Sequence, residues 1–418
     1  MNFESIREEF LADLKEVISI NSINGDNGAV TKEAPLGEGV YKALEAFLEI
    51  GRRFGFKSVN LDGYAGYIEC GEGAKTVGII AHVDTVRAGD GWSYPPLECT
   101  VTEEGVYGRG VADDKGPALL ALYAMRDAFE NGLLKDKKVR LILGGDEESG
   151  VWQCIDRYQE TEKDPDISFS PDAEYPVVYG EKGLLKVKIS GIETAMPEDF
   201  SFEGGSVINI VPDKAKAYLN GTDLSEKGKA AHGSLPELGE NAITKLGEKI
   251  ASEYPESTFA KLISLASKKA LGIDIKDEHG ALSCNPSILR ADSKKCALSY
   301  DIRYPITADG KTVISAITKA VEEKGLEVEI MSHDEPLYIP LDSHLITTLS
   351  GIYTEETGDK KGAISIGGGT YAKAFPNCAA FGIVLPGDPE TAHQADEFWS
   401  FKSLEINSKI IAKAIERL

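Results

Sequence analysis

The sequence predicts an α/β protein with a mixed, mostly parallel sheet, into which a second, α+β domain is inserted. Over the first 183 residues, strand-length apolar runs alternate with helical patterns, which is typical of a sheet covered by helices. Several strand-like runs then follow from residue 184, and the alternation returns at residue 336. A chain of 418 residues also exceeds one ordinary core. We therefore expect a split first domain, residues 1–183 and 336–418, with residues 184–335 as an inserted domain.

Apolar spacing and turn residues predict the elements of the first domain in order. Helical stripes recur every three to four residues, whereas buried strands are short continuous apolar runs. A long loop at residues 90–108 is of the kind that shapes a neighbouring site. The predicted helices span residues 3–20, 40–54 and the stretch from Asp113-Asp114 to Gly132, and a final helix carries Leu404, Ile411, Ile415 and Leu418 on one face; the strands lie near 65–70, 76–82, 139–143 and 167–170.

The inserted domain has a different order of predicted elements, because its strands follow one another without a helix between each pair. This pattern indicates an α+β arrangement rather than a continuation of the first sheet. The predicted strands are residues 184–189, 207–211, 215–219, 297–302 and 326–331, and helices are predicted near 241–270 and 311–324.

Composition limits the partners of this chain. The formal net charge is −23, and the sequence lacks the Lys/Arg clusters to which nucleic acid and anionic lipid bind. No apolar run approaches the roughly 20 residues that a membrane span needs. Residues 1–14 are acidic, with no basic region followed by an apolar one, so we expect no signal peptide and a cytoplasmic location. The six scattered cysteines, with no C-x-x-C, are interpreted as buried thiols in a reducing compartment.

A histidine and an aspartate stand together where the strand near residues 76–82 ends. The sequence there is His82-Val83-Asp84-Thr85-Val86. Residues two apart on an extended chain point to the same face, so the imidazole and the carboxylate are neighbours. An imidazole that binds a metal is commonly oriented, and made more basic, by such a carboxylate. The pair therefore predicts a metal site.

Further acidic residues and one late histidine follow at the ends of other predicted elements, and they are Asp113, Glu147, Glu148, Asp172 and His393. In such sheets ligands bind beyond the carboxyl ends of the strands, where all these residues are expected. Two histidines and several carboxylates suit two divalent ions of zinc-like character. Two ions about 3.5–4 Å apart need a bridging carboxylate, and Asp113, short and held at a helix start, suits that role.

Each of these residues also has a plain structural interpretation. Asp113 could be only a helix N-cap, Glu147-Glu148 a solvated loop, Asp172 a turn residue and His393 an exposed histidine. Together these interpretations require every candidate ligand to reach one sheet edge by accident, which disfavours them. Within the adjacent glutamates, one can bind metal while the other takes the proton of a water molecule.

The motifs in order resemble those of the M20 family of co-catalytic zinc peptidases, and within it the dipeptidase branch typified by PepV-type enzymes. They are His82-x-Asp84-Thr85-Val86, Gly108-Arg109-Gly110-x-x-Asp113-Asp114-Lys115-Gly116, Asp146-Glu147-Glu148-Ser149-Gly150, Ser170-Pro171-Asp172-Ala173-Glu174 and Ala392-His393. The resemblance covers essentially the whole chain. It implies a zinc-peptidase α/β catalytic domain with an inserted lid domain, which matches the predicted layout. The insertion looks short for the dipeptidase branch.

The resemblance also implies a role for each site residue. The metal ligands would be His82, Asp113, Glu148, Asp172 and His393, with Asp113 as the bridge. Asp84 would orient His82, and Glu147 would be the general base. In the inserted domain, His232 would stabilise the oxyanion, while Asn209 and Arg303 would hold the substrate carboxylate, a group that arginine can bind in bidentate fashion. Gly368 and Thr370 belong to a glycine-rich loop, Gly367 to Tyr371, expected to approach the substrate.

The function that the resemblance implies is a metal-dependent dipeptidase. It would hydrolyse short peptides with a free C-terminal carboxylate through a water bridging two divalent metal ions, Zn²⁺ or else Mn²⁺. An N-acyl-amino-acid deacylase or a succinyl-diaminopimelate desuccinylase-like amidohydrolase is the alternative, since it shares the metal ligands and differs in its pocket. A non-catalytic binding protein would lack a ligand or the base, and none is missing here. The expected partner is a dipeptide or short peptide, with neither nucleic acid nor membrane, and the protein is expected to be a monomer.

Overall fold

The computed structural model describes residues 1–25 and 30–418. The later helices start after a serine, asparagine or aspartate whose side chain accepts a backbone N–H, which is the usual N-cap arrangement. In chain order the helices are α1 (Phe3–Ile18), α2 (Glu38–Arg53), α3 (Lys115–Glu130), α4 (Gln153–Thr161), α5 (Ala242–Glu253), α6 (Thr258–Ser264), α7 (Gly310–Glu322), α8 (His344–Thr357) and α9 (Phe401–Arg417).

Among the described residues, the strands are grouped in two larger sheets, a three-stranded sheet and two short pairs. In chain order they are β1 (Lys57–Leu61), β2 (Ala65–Gly71), β3 (Lys75–His82), β4 (Thr100–Val101), β5 (Gly105–Tyr107), β6 (Lys137–Gly144), β7 (Ile167–Ser170), β8 (Ala173–Glu174), β9 (Val178–Glu181), β10 (Gly183–Ile192), β11 (Ser201–Gly204), β12 (Lys214–Leu219), β13 (Thr222–Lys227), β14 (Lys276–Asp277), β15 (Gly280–Ala281), β16 (Ser283–Asp292), β17 (Lys295–Tyr304), β18 (Glu327–Asp334), β19 (Leu337–Tyr338), β20 (Ile364–Ile366), β21 (Cys378–Ala380), β22 (Ile383–Val384) and β23 (Phe398–Ser400).

The chain forms two compact units. The first unit comprises Met1–Tyr179, Ile339–Ile364 and Thr370–Leu418, and the second comprises Gly180–Tyr338 and Ser365–Gly369. These bounds lie close to the predicted insertion at residues 184–335. The assignment of catalysis to the first unit and of substrate binding to the second stays a prediction.

The first unit is built on a mixed sheet in which β1, β2, β6, β3, β7 and β21 lie side by side in that order. The neighbours β6 and β3, β3 and β7, and β7 and β21 are parallel, whereas β1 and β2 run antiparallel to their neighbours. Strand β3 is buried along its last six residues, as expected for a strand covered on both faces. The predicted α/β class with a mixed sheet is confirmed. Because β3, β6 and β7 are parallel, their carboxyl ends meet at one edge of the sheet.

Helix α3 anchors the segment that precedes it. Its residues from Lys115 to Met125 are all buried, and a fully buried leucine contributes about 1.5–3 kcal/mol. The ammonium of Lys115 donates to the carbonyl oxygens of Val17, at 3.0 Å, and Ile20, at 2.7 Å, beside the end of α1. The residues just before α3 are therefore attached to a rigid, buried element.

A short strand pair brings a late segment to the same place. Strand β23 pairs antiparallel with β5, with Phe398 opposite Tyr107. The loop before β23 consequently lies beside the segment that follows β5. The first of these segments carries His393 and the second carries Asp113, so the two halves of the first unit meet there.

The second unit contains a seven-stranded sheet, in the order β13, β12, β11, β16, β17, β10 and β18, whose neighbours are all antiparallel. Side chains alternate between a buried and a more open face, as β12 shows by burying Ala215, Ala217 and Leu219. The buried face packs with apolar residues of α5, α6 and α7 into one core.

Several predicted elements of the second unit are wrong. Residues 207–211 are not a strand, and the strand lies earlier, at β11, because Gly205 at φ +66° turns the chain. The predicted helix at 241–270 is two helices, since Pro255 after Tyr254 cannot continue α5. Strand β16 was not predicted at all. Among the described residues, no helix is long and apolar enough to cross a membrane.

Candidate dinuclear metal centre and active site

His82 is the deepest of the candidate ligands, with 1% of its side chain exposed. It is the last residue of β3 and lies opposite Gly144 of β6. Its Nδ1 is 3.0 Å from the backbone oxygen of Asp84 and 3.4 Å from the Asp84 carboxylate. Its Nε2 is thereby left to face Asp113, at 3.1 Å, and Asp172, at 3.8 Å. Asp84 thus fixes which imidazole nitrogen points into the centre.

Asp113 lies between the two histidines. Its Oδ1 faces His82, and its Oδ2 is 3.0 Å from Nε2 of His393. His393 also lies 3.1 Å from Glu148, and 55% of its side chain is exposed. The two oxygens of one carboxylate therefore serve two different imidazoles, which is the geometry that a bridging ligand requires.

Two groups of side chains could each hold a metal ion. One is His82, Asp113 and Asp172, and the other is Asp113, Glu148 and His393; the ligand atoms of each group lie within 4.8 Å of one another. Each group offers one imidazole and two carboxylates, a donor set that suits Zn²⁺ and related divalent ions. The residues present fit two ions that share Asp113.

Asp84 also orders the loop that carries the two glutamates. Its side chain is fully buried and accepts the backbone N–H groups of Glu147, at 3.2 Å, and Glu148, at 3.1 Å. The same carboxylate therefore orients His82 and positions the loop after β6. Asp146 holds the other side of this loop by accepting the N–H groups of Gln153 and Cys154 at the start of α4.

Glu147 is half-buried and directly precedes the candidate ligand Glu148 in the chain. Burial raises the pKa of Glu147 well above its usual range, and the charges of Asp172 and Glu148 act in the same direction against that of His82. A carboxyl group that holds a proton readily is what a general acid–base residue needs.

The pKa values of several candidate ligands are raised by burial and by neighbouring carboxylates. Burial, followed by the charge of Asp113, raises the pKa of Asp172 to about 7. Hydrogen bonds to Asp113 and Glu148 raise the pKa of His393 to about 11. Burial disfavours the protonated form of His82, yet its carboxylate partners hold its pKa well above the usual value. The pKa of each of these groups is therefore shifted in favour of its protonated form.

The predicted substrate residues of the second unit are brought together by a chain of contacts. Ile210 forms a β-bridge with His232, and the N–H of Gly233 donates to the oxygen of Asn209 at 2.7 Å. A Cβ on Gly233 would lie 2.5 Å from Oδ2 of Asp301, which shows how closely these segments pack. Asp301 in turn accepts from Nη2 of Arg303 at 3.2 Å.

Arg303 is buried, and its guanidinium is held from two sides. Its Nη1 donates to the oxygen of Gly367 at 2.6 Å, and Nη2 donates to Asp301. Within the part of the chain that the structure describes, its buried Nε has no hydrogen-bond partner. His232 is exposed, with Nδ1 2.6 Å from the hydroxyl of Ser234. These residues therefore offer a fixed cationic group next to an accessible imidazole.

The glycine-rich loop divides between the two units. Gly368 belongs to the second unit, and a Cβ there would meet only Ile366, at an ordinary 3.8 Å. Thr370 belongs to the first unit, where its hydroxyl accepts the N–H of Ala372 and starts a short 3-10 helix. Internal packing therefore does not require glycine at position 368.

Comparison with known proteins bears on this site. Residues 78–417 match the sequence profile of peptidase family M20/M25/M40, a range that contains all the candidate ligands. The chain belongs to this family. It is 33% identical to the Beta-Ala-Xaa dipeptidase of Lactobacillus delbrueckii subsp. lactis, with 99% of this chain and 97% of that protein covered. The predicted family is thus confirmed.

Solved structures of the family share its fold. One is the M20 family metallo-carboxypeptidase Sso-CP2 from Sulfolobus solfataricus, at a TM-score of 0.66 and 18% identity over 98% of this chain and 99% of that one. Another is human carnosine dipeptidase 1, at a TM-score of 0.64 and 14% identity over 99% and 97%. At these identities the likeness establishes the fold alone.

Sequence reasoning missed several residues of this M20 peptidase site that support the ligands. Glu397 accepts the backbone N–H of Asp113 at 3.1 Å, and the carboxylate of Asp114 accepts that of His82 at 3.0 Å. Asp146 and Asp301 act as described above. Asp114 and Asp146 lie within two of the family motifs, so their supporting roles could have been predicted from the sequence. Glu397 carried no signal, because a carboxylate that binds backbone N–H groups follows no sequence pattern. Asp301 instead accepts from the side chain of Arg303, two residues further along β17.

Proposed function

We propose that this M20 peptidase is a dipeptidase that uses two divalent metal ions. The observation that carries the proposal is the position of Asp113, whose two oxygens face His82 at 3.1 Å and His393 at 3.0 Å. A carboxylate shared in this way, with the half-buried Glu147 directly before the candidate ligand Glu148, suits hydrolysis by a co-catalytic pair of ions. The Lactobacillus relative is named for the cleavage of β-Ala-Xaa dipeptides, which favours dipeptides as the substrate class here.

In the proposed mechanism Glu147 moves the proton. Bound Zn²⁺ or Mn²⁺ ions would polarise the scissile carbonyl and acidify the attacking water. Glu147 takes a proton from that water and then gives it to the leaving amine, a transfer that a raised pKa assists. Asp84 holds His82 and the Glu147 loop in register throughout, because it contacts both.

The residues of the second unit are proposed to bind the substrate. The buried guanidinium of Arg303 would bind the free C-terminal carboxylate together with Asn209. The exposed imidazole of His232 would donate to the oxygen that becomes negative when the carbonyl is attacked, and such stabilisation supplies a large part of the rate in acyl transfer. The backbone of Gly368 and the hydroxyl of Thr370 would line the substrate. A clamp for the carboxylate explains a preference for short peptides.

Replacing Arg303 by lysine is expected to raise KM for dipeptides with little change in kcat. Lysine keeps the charge but loses the planar pair of donors. Hydrogen bonds to charged groups are worth about 1.5–3 kcal/mol, so a KM increase of roughly tenfold or more is expected. The measurement is steady-state kinetics on a dipeptide and on its C-terminal amide.

The C-terminal amide shows whether the substitution acts through the substrate carboxylate, since the amide has no carboxylate for Arg303 to bind. The wild-type preference for the free acid should shrink in the variant. Arg290→Lys is the matched control, because Arg290 lies on neighbouring β16 and donates only to backbone oxygens of Gly204, Gly205 and Leu289. An unchanged preference in Arg303→Lys would exclude Arg303 as the carboxylate clamp.

The proposed function is tested by adding metal to chelated enzyme. Zn²⁺ or Mn²⁺ is returned to the metal-free protein, and hydrolysis is followed on a panel of dipeptides beside N-acetyl and N-succinyl amino acids. We expect metal to restore dipeptide cleavage. Cleavage of acylated amino acids alone would instead assign the chain to the deacylase or desuccinylase group, and absence of metal binding would exclude the metal centre altogether.

A further inference from the structure

Glu397 is a fully buried carboxylate on the loop that also carries His393. Its Oε1 accepts the backbone N–H groups of Ala112, at 2.8 Å, and Asp113, at 3.1 Å. The N–H of Gly110 lies 3.1 Å from both of its oxygens. Three backbone donors from the segment before α3 therefore converge on one side chain.

Arg109 completes the surroundings of this carboxylate. Its Nη1 donates to Oε2 of Glu397 at 2.6 Å, and its Nη2 donates to the backbone oxygen of Gln394 at 3.1 Å. The pair is buried on both sides, with 2% of the Arg109 side chain and none of the Glu397 side chain exposed. Breaking a buried pair of this kind leaves an uncompensated charge, so both groups are held firmly in place.

The backbone reinforces the same connection. The N–H of Gly108 donates to the oxygen of Glu397 at 3.1 Å, next to the pairing of β5 with β23. Glu397 therefore links the segment that places Asp113 to the loop that places His393. A single buried residue thus binds the backbone of the candidate bridge and stands on the loop of one candidate terminal ligand.

We propose that Glu397 is a positioning residue for the dinuclear centre, which fixes the backbone of Asp113 so that its two oxygens serve both ions. This inference rests on the proposed function, because it assumes that Asp113 is shared between two metals. Residues that support a metal ligand are typically worth roughly 10–100-fold in metal affinity. Because Asp113 belongs to both ligand groups, disturbing it should weaken both binding steps rather than one.

Glu397→Gln tests the proposal because an amide cannot replace this carboxylate in either orientation. If its oxygen occupies the Oε1 position, its NH₂ group faces the guanidinium of Arg109; if the amide is flipped, the NH₂ group faces the N–H groups of Ala112 and Asp113. Two donors then oppose each other in both cases. The volume of the side chain is nearly unchanged.

Glu193→Gln is the matched control. Glu193 is also buried, at 5% exposure, and its carboxylate likewise accepts backbone N–H groups, from Thr194, Ala195, Thr258 and Phe259. It lies in the second unit, where it binds N–H groups of the first turn of α6, whereas the candidate ligands belong to the first unit. Loss of this carboxylate should lower Tm without altering metal affinity. The control therefore separates a structural role from a positioning role.

The experiment is a titration of metal-free protein with Zn²⁺ in competition with a chromophoric chelator, with Tm measured on the same samples. For wild type we expect two bound ions. In Glu397→Gln both stepwise affinities should fall by roughly 10–100-fold, whereas in Glu193→Gln both should equal those of wild type. Glu397→Asp, which keeps the charge but retracts the oxygens, should show the same loss and replaces Glu397→Gln if that variant does not fold.

The outcomes are distinct. If Tm falls in Glu397→Gln while both affinities stay at the wild-type value, Glu397 is only structural and the inference is overturned. Loss of a single step would also overturn it, because the effect would then not pass through the shared Asp113. A wild-type protein that bound no Zn²⁺ would overturn the proposed function itself, which this experiment thereby distinguishes from failure of the inference.

Discussion

Replacing Glu147 by glutamine is expected to lower kcat for dipeptide hydrolysis by roughly 10²–10⁴-fold, the usual contribution of a general acid–base residue. Glutamine keeps the shape of the side chain but can neither accept the proton of the attacking water nor return it to the amine. Metal content should stay at two ions, because Glu147 belongs to neither ligand group. KM should change little, since the carboxylate clamp lies on other residues.

The measurement combines steady-state kinetics with elemental analysis of the dialysed protein. Glu148→Gln is an informative neighbour, since it should lose affinity for one ion as well as activity. Glu160→Gln, an exposed acid on α4, serves as the neutral control. If Glu147→Gln kept more than a tenth of the wild-type kcat, Glu147 would not be the general base.

Replacing Asp113 by asparagine is expected to abolish activity and to weaken both metal sites. The amide of asparagine has only one acceptor oxygen. It therefore cannot offer one oxygen to the metal on the His82 side and another to the metal on the His393 side. Each affinity should fall by more than the roughly 10–100-fold expected for a supporting residue. Stepwise Zn²⁺ binding to the metal-free protein gives the two affinities directly.

The control for this prediction is a ligand that belongs to one group only. Asp172→Asn should weaken the step that involves His82 and leave the step that involves His393 close to wild type. If Asp113→Asn lost a single step in the same way, Asp113 would be a terminal ligand, and the assignment of the bridge would need another carboxylate.

The first unit was largely predictable because its strands and candidate ligands are recognised from short stretches of sequence. His82 is the last residue of a buried strand and Asp172 follows another by two residues, and parallel strands place their carboxyl ends together. The fold class and the family were therefore predicted correctly. The grouping of the candidate ligands agrees with the expected edge of the sheet, while the roles given to them stay predictions.

The strands of the second unit were harder to predict, because some of them lack a recognisable strand pattern in the sequence. Strand β16 contains Asn285, Pro286 and Ser287, polar or strand-breaking residues that are nevertheless buried. Asn285 is tolerated there because its amide donates to the oxygen of Ile210 at 3.0 Å, a partner far away in sequence. Propensity gives no hint of such pairing, since it depends on tertiary contact.

Supporting residues such as Glu397 are missed for a related reason. Their partners are backbone N–H groups, which every residue except proline provides. The strands that bring Glu397 to Asp113 are β5 and β23, each of three residues, which is too short for a periodic pattern. Only the assembled structure shows that the carboxylate and the donors meet.

The pairing of β23 with β5 also has a consequence for how the protein is made. His82, Asp113 and Asp172 leave the ribosome before residues 180–338 of the second unit, whereas His393 and Glu397 leave it after them. At roughly 5–20 residues per second, the stretch from Asp172 to His393 takes on the order of ten to forty seconds to translate. During that interval the nascent polypeptide holds one ligand group without the other. Hydrolytic competence, on the proposed mechanism, is acquired only after His393 and Glu397 have been synthesised, so a product truncated before them would not hydrolyse peptides.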